Sequence, residues 1–430
     1  ARRIIDFLAQ IEDFQKKLWL KKKFVVETNY CITLDRIPEA FYSKIAANEA
    51  QREEWVRLFA INEIVADTTS PGYSVPLTVE FLRANRFLTV DTALVGENLK
   101  AALLASQESL DENLNGLLIH SENFQALNLA QARFSKQVKS IYIDPPYNTG
   151  EDSFPYKDRY QSSSWLSMIE DRVFMSSKLM RNDGVFFSHI DDNELFNFKQ
   201  VVDSALGKEN FLGAHTWIKR YAPPPDTKDF GYVTESILVY RKSQDFTRGL
   251  LPITNDQSAR YKNEDNDPRG PWKAADYTCR YTVEERPSLY YEITNPNTGK
   301  KILPKRTRVW AYSAESHKKN ESEGRIWWGK DGKNSVPALK NYLSEINQGK
   351  IPSSLLHYDD VGHTDEAAKT LRNLFPEQKA TPKPTRLSRY LMQAGNHRSG
   401  ILLDYFSGTG SSIHGVIESL RDDKINIGYI

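Results

Sequence analysis

Three groups in the stretch Ile141-Tyr142-Ile143-Asp144-Pro145-Pro146-Tyr147-Asn148-Thr149-Gly150 can act together on one substrate atom. They are the Asp144 carboxylate, the Pro145 carbonyl and the Tyr147 ring, with Pro146 stiffening the loop between them. An exocyclic amino group on a nucleobase is a poor nucleophile, because its lone pair is delocalised into the ring. A carboxylate and a carbonyl that accept its two N–H bonds localise that pair as charge develops. An adjacent aromatic ring holds the base by stacking, worth about 1–3 kcal/mol per base, once the base has left its duplex.

The element that must position these groups is a strand. The apolar, β-branched residues up to Ile143 read as buried, and the prolines end the run because they cannot donate to a sheet ladder. Asp144 therefore falls at the carboxyl end of a strand, where open α/β sheets bind ligands. The stretch Ile401-Leu402-Leu403-Asp404-Tyr405-Phe406-Ser407-Gly408-Thr409-Gly410-Ser411-Ser412 repeats the pattern, with a glycine loop after the acid. Gly408 and Gly410 permit positive φ and close backbone approach to a ligand. Ile413, Val416, Ile417 and Leu420 recur at helical spacing behind the loop. No Lys-Ser/Thr pair follows it, which disfavours a nucleotide P-loop.

Asp-Pro-Pro-Tyr at 144–147 resembles the catalytic motif of amino-methylating DNA methyltransferases, and the loop at 404–412 resembles their S-adenosylmethionine motif. The catalytic motif comes first and the cofactor motif last, with about 260 residues between them, which resembles the β arrangement of that family. The resemblance implies cofactor contacts from Asp404, Phe406, Gly408 and Gly410. It also implies them from Glu122 and Asn123, where the family has a Gly-Asp-Asn-like turn and this chain has Ser121-Glu122-Asn123. In the family a Lys-Pro pair before a helix lies by the methionine end of the cofactor, so Lys383 is expected to neutralise its carboxylate. The family's ribose-binding acid follows the last strand, read here at Asn426–Ile430, so the expectation is a chain that continues beyond Ile430. Three further blocks, Tyr261–Trp272, Tyr291–Pro296 with Gly299, and Gly324–Gly329, resemble the modification subunits of type III restriction systems.

Composition limits the alternatives. At 430 residues two or three domains are expected. The net charge of +1 supplies no global field toward DNA, so nucleic-acid contact needs a local basic patch. Cys31 and Cys279 form no disulfide framework or Cys-based zinc site, and a reducing cytoplasm fits. No apolar run reaches membrane-spanning length, and Ala1-Arg2-Arg3 does not open a signal peptide.

Residues 1–70 contain no glycine and read as a helical arm. It has an apolar face at Phe7, Ile11, Phe14 and Leu18, a lysine run at 16–23 read as a solvated face, and a second helix around Trp55. Residues 71–115 are read as linker and helices, 116–244 as the catalytic half, 245–350 as a target-recognition insert and 351–430 as the cofactor half. Strands are expected to begin near residues 116, 139, 185, 211, 236, 401 and 425. The helix from Trp165 is expected to stop at Asn182-Asp183-Gly184, and Asp191-Asp192 to cap or solvate a strand end rather than bind metal. His189 is read as a core residue. Lys219 and Arg220, in a basic and aromatic loop, are candidates for phosphate contact. So are Lys300, Lys301, Lys305, Arg306 and Arg308, a run of cations with no acid among them, near Trp272, Trp310, Trp327 and Trp328.

The expected fold is a doubly wound, seven-stranded α/β sheet of the Rossmann-like methyltransferase type in circularly rearranged order. The expected function is methyl transfer from S-adenosylmethionine to N6 of a flipped adenine in double-stranded DNA, without a metal. The resemblance implies a homodimer and a restriction–helicase subunit as partners. N4-cytosine methylation, a silent DNA-recognition subunit and an RNA methyltransferase are the alternatives; the family favours Ser over Asp at the first motif position for cytosine.

Overall fold

The structure, a computed structural model, describes residues 25–67, 71–149, 161–223, 225, 230–253, 258–346, 349–422 and 425–430. The helix expected across Phe7–Leu18, its lysine run and the Thr68-Thr69-Ser70 link lie outside the described residues.

The centre is a seven-stranded sheet. In chain order its strands are β1 (Val138–Ile143), β2 (Met180–Ile190), β3 (Phe211–Ile218), β4 (Thr234–Arg241), β5 (Leu355–Leu356), β6 (Ser399–Leu403) and β7 (Asn426–Tyr429). Across the sheet they run β5-β3-β4-β2-β1-β6-β7. Every neighbouring pair is parallel except those made by β4 with β2 and with β3.

Among the described residues, helices α1 (Asn123–Phe134), α2 (Ser162–Ser177), α3 (Leu195–Leu206), α5 (Thr385–Ala394) and α6 (Ser411–Asp422) pack on it, and α4 (Thr364–Leu374) precedes α5. Ile141 and Ile143 of β1, with Phe186 and Ile190 of β2, pack against Leu127 of α1, Trp165 and Ile169 of α2 and Phe198 of α3. The alternate residues Tyr142, Val185, Phe187, Ile237 and Val239 face Leu387 and Leu391 of α5 and Val416 of α6. Burial on both faces explains why these strands read as unbroken apolar runs. The expected doubly wound architecture is the one observed.

Two local expectations are corrected. Leu117, Leu118 and Ile119 form no strand: Gly116 makes one isolated bridge to Tyr429, and Leu118 is 74% exposed. At the outer edge of β7 there is no second face to bury an apolar run. The seventh strand is instead the short β5, paired with Thr216 and Trp217 of β3. Nor does a turn at Asn182-Asp183-Gly184 precede β2, because the strand already begins at Met180. The register shifts between Val138 and Ser140 accommodate those residues as an irregularity. Lys139 Nζ pins it by donating to the Asp183 carbonyl at 2.6 Å and to its carboxylate at 3.1 Å.

Before the sheet, a separate core joins Leu34, Ile45 and Trp55 to Phe81, Leu82, Val90 and Leu103, so both sides of the boundary read at residue 70 share one interior. The helix expected around Trp55 spans Glu49–Phe59, and the Trp55 indole donates to the Thr89 carbonyl at 2.7 Å.

The region at 245–350 contains a three-stranded antiparallel sheet of Trp272–Asp276, Ala338–Tyr342 and Ile326–Trp327. Its tryptophans are structural. Trp310 and Trp328 lie in its core, and the Trp272 indole donates to Asp265 at 2.7 Å. Lys340 lies over the rings of Trp272 and Trp327 at 5.4 and 5.8 Å and is 2.9 Å from the Asp267 carboxylate. The Tyr261–Trp272 block therefore supplies the acids that hold this region together. The cation run is exposed, yet the fold brings acids to it that the sequence does not. Lys301 pairs with Glu292 at 2.7 Å, Arg306 with Glu284 at 3.6 Å, and Arg308 donates to Thr278 Oγ1 at 2.9 Å.

Trp165 ties this scaffold to the Asp144 loop, since its buried indole donates to the Pro146 carbonyl at 2.8 Å. Replacing Trp165 with Ala should cost about 3–5 kcal/mol through the cavity alone. A urea titration monitored by circular dichroism checks this; a loss below about 1 kcal/mol would contradict the packing described.

Candidate active site

β1 and β6 are adjacent and parallel, with Leu403 opposite Ile141, so the loops that leave them emerge side by side. Asp144, Pro145, Pro146 and Tyr147 from one loop and Asp404, Phe406 and Gly408 from the other line a single cleft of about 480 Å³. Lys383, Lys219, Arg220, Trp217 and Glu235 close its remaining sides. A second cavity of about 280 Å³ adjoins it at Asp404 and Ser407, lined by Leu117, Ile119, Asn123 and Ile430.

The Asp144 loop is clamped from several directions. Asn148 has φ +60° and donates to Glu194 at 2.9 Å, while Asn193 donates to the Asn148 carbonyl at 2.9 Å. Asp191 accepts from the Asn193 backbone at 3.0 Å, the capping role expected of it, and also lines the cleft.

A network of charges lies beneath the loop. Lys383 Nζ is 3.1 Å from Asp144 Oδ1 and 3.0 Å from Glu235 Oε1, and it donates to the Tyr147 hydroxyl oxygen at 2.8 Å. That hydroxyl lies 2.7 Å from Asp144 and 2.8 Å from Glu235, and its one proton serves either acceptor. Glu235 is further held by His189 Nδ1 at 2.7 Å and Lys219 at 3.3 Å, and His189 Nε2 meets the Tyr142 hydroxyl at 2.9 Å.

Burial opposes ionisation of Glu235, but the Lys383 charge and the His189 contact outweigh it and hold its carboxyl well below the usual range. Burial and the Asp144 and Glu235 charges raise the Tyr147 phenol well above its ordinary value. Asp144, His189 and Glu235 offer ligand atoms within 4.8 Å of one another, a spacing that would suit a cation; the Lys383 ammonium supplies positive charge there.

Each residue singled out in sequence has a definite place. Asp404 is half-buried, accepting from the Phe406 backbone at 3.0 Å and from Ser412 Oγ at 2.5 Å. Gly408 and Gly410 adopt φ +52° and +76°, and a side chain at Gly410 would meet no atom within 4 Å, so the space above this loop is open. Asn123 faces the second cavity and donates to the Tyr405 carbonyl at 3.1 Å. Glu122 caps α1 and pairs with Arg172, so its carboxylate is already engaged. Lys219 is turned toward Glu235 rather than outward, whereas Arg220 is exposed at the rim.

Sequence reading missed Glu235; His189 is fully buried, as its reading as core or structural expects, and its partner there is Glu235. The available signal was phase: Glu235 shares a strand face with Ile237 and Val239, so an acid occupies an inward position. Such a group must be paired.

An acid and an aromatic at the end of one strand lie beside a glycine loop on its parallel neighbour, across one cleft of an α/β sheet. Residues 138–429 match the DNA methylase family model (N6_N4_Mtase), and the chain belongs to that family. It is similar to the StyLTI Mod subunit, a type III restriction-modification enzyme subunit of Salmonella typhimurium, at 27% identity over 73% of this chain and 51% of that protein. It is likewise similar to the EcoP15I Mod subunit of Escherichia coli, at 27% identity over 76% of this chain and 59% of that one. The chain thus spans between half and three-fifths of these relatives' length. Among solved structures, PvuII DNA methyltransferase (cytosine-N4-specific) aligns with a TM-score of 0.38 and 9% identity, covering 74% of this chain and 80% of its own. No described helix is long and apolar enough to cross a membrane.

Burial pushes the Asp404 carboxyl up to about 7, with the Ser412 and Phe406 hydrogen bonds opposing the rise. Protonated Asp404 thus favours the ligand-free fold at low pH, and that contribution is lost as pH climbs toward 7. A cationic ligand reverses the preference by favouring the carboxylate. Affinity for S-adenosylmethionine should rise by up to about tenfold between pH 6 and 8, and Asp404→Asn should flatten the profile. Calorimetric titration at several pH values checks this, and a flat wild-type profile would contradict it.

Proposed function

We propose that the chain transfers a methyl group from S-adenosylmethionine to N6 of an adenine flipped out of double-stranded DNA. In this reading it is the catalytic part of a restriction–modification system's modification subunit. The observation that carries it is the single cleft shared by the Asp144–Tyr147 loop and the Asp404–Gly408 loop.

Residues suited to the cofactor are present. Asp404 offers a half-buried acid to a cationic group, the positive-φ glycines leave backbone open to close approach, and the adjoining cavity with Asn123 and Leu117 suits an adenosine. When bound, the cofactor supplies an electrophilic methyl group. Asp144 and the Pro145 carbonyl accept from the adenine amino group and raise its nucleophilicity. The Tyr147 ring stacks on the base and Pro146 limits loop motion, so orientation supplies much of the acceleration. The amino proton passes to Asp144, whose carboxylate faces the cleft.

Asp rather than Ser at position 144 favours adenine over cytosine as the target. The exposed cations at Lys300, Lys301, Lys305, Arg306, Arg308 and Arg220 are suited to DNA phosphates, and the region at 245–350 to reading sequence. Similarity to Mod subunits supports a second copy of the chain and a restriction–helicase subunit as partners.

Expression in cells lacking DNA modification, followed by mass spectrometry of hydrolysed DNA, should yield N6-methyladenine. N4-methylcytosine would assign the other base, and no methylated base at all would favour a silent recognition subunit. Asp144→Ala should lower transfer by at least about 10²–10³-fold while cofactor affinity stays within about threefold; loss of cofactor binding in this variant would remove Asp144 from its assigned role.

A further inference from the structure

The amine acceptor, Asp144, is already in use. Its Oδ1 faces Lys383 Nζ at 3.1 Å and the Tyr147 hydroxyl at 2.7 Å. A carboxylate that keeps an ammonium to itself is a weakened acceptor, because its charge is neutralised before the substrate arrives. Both donors, however, also reach Glu235, Lys383 at 3.0 Å and the hydroxyl at 2.8 Å. Glu235 is fixed: its side chain is 3% exposed, held by His189 and Lys219, and His189 is braced by Tyr142. Asp144, by contrast, is 31% exposed at the cleft.

We propose that Glu235 is a positioning residue for methyl transfer, the second acceptor to which Lys383 and the Tyr147 hydroxyl move when the base amine engages Asp144. This rests on reading Asp144 as the amine acceptor. No charge need enter or leave the interior during the shift, since Asp144 and Glu235 are balanced by Lys383 and Lys219. The shift also leaves the hydroxyl bonded throughout, so the Tyr147 ring stays oriented while Asp144 is released. Glu235 acts through Lys383 and Tyr147 and does not itself touch the base.

The test measures transfer of tritiated methyl to unmodified heterologous DNA at saturating cofactor, with S-adenosylhomocysteine affinity measured alongside. Glu235→Gln keeps the shape and removes the charge that shares Lys383. Its kcat should fall about 30-fold, with DNA KM and S-adenosylhomocysteine Kd within about threefold of wild type. Adding Lys383→Met should then restore at least about threefold of the lost rate, because the ammonium left on Asp144 is gone. A Glu235 that served only to neutralise a buried lysine would lower the melting temperature in Glu235→Gln and regain it in the double variant, with kcat per folded enzyme unchanged throughout.

Wild-type kcat in Glu235→Gln, or a double variant no faster than Glu235→Gln alone, overturns the proposal. Should Glu235→Gln fail to fold, a crystal structure of the wild-type protein with S-adenosylhomocysteine and DNA, its target base seated against Asp144, decides. Lys383 within hydrogen-bond distance of Glu235 and withdrawn from Asp144 supports the proposal; Lys383 retained on Asp144 refutes it. Methyl found on cytosine N4 would overturn the choice of base and leave these readouts intact, since either amine must be accepted by Asp144.

Discussion

The parallel pairing of β1 with β6 is the constraint from which the site follows. Their sequences lie more than two hundred residues apart, yet Leu403 sits beside Ile141 and both strands end at the same edge. Parallel neighbours release their carboxyl-terminal loops on one side of a sheet. Asp144 and Asp404 therefore open onto one cleft. Other elements complete the site: Lys219 follows β3, β4 contributes Glu235, the segment before α5 contributes Lys383, and His189 of β2 braces Glu235 from beneath.

That arrangement carries an electrostatic cost, met locally. Moving an unpaired carboxylate out of water is expensive, and the effective penalty is several kcal/mol per ion. Here two acids and two lysines converge with a histidine and two tyrosines, so each buried charge meets an opposite one at hydrogen-bond distance. Such pairing adds little net stability compared with apolar packing. Its consequence is order, because the Tyr147 ring, the Lys383 ammonium and the Asp144 carboxylate each have partners on more than one element.

The region at 245–350 obeys a different logic. It sits between β4 and β5 in sequence, and the bridge between Leu251 and Lys350 draws its two ends together. A segment whose ends meet can carry its own core without disturbing the sheet that holds it. Its tryptophans and the Asp265–Lys340–Asp267 cluster provide that core. Composition made this stretch look like an aromatic reading surface; packing turned the aromatics inward and left the lysines and arginines outside.

The sequence alone determined the strands read from near residues 139 and 401, the acids that follow them and the glycine loop, because apolar runs, prolines and glycines act through local backbone physics. It also carried the doubly wound alternation, since strands buried on both faces read as continuous apolar segments. The fold alone decided that β5 rather than residues 117–119 completes the sheet, because a two-residue strand has no period to read, while residues 116–117 meet Tyr429 only through one isolated bridge and its neighbouring hydrogen bond. Glu235 and His189 became part of the site only in three dimensions: Glu235 lies on an antiparallel strand far from either motif and owes its role to facing Lys383 and Tyr147, and His189 owes its role to bracing Glu235. Local pattern fixes what a strand is and where it stops; which distant side chain shares its charge is fixed by packing.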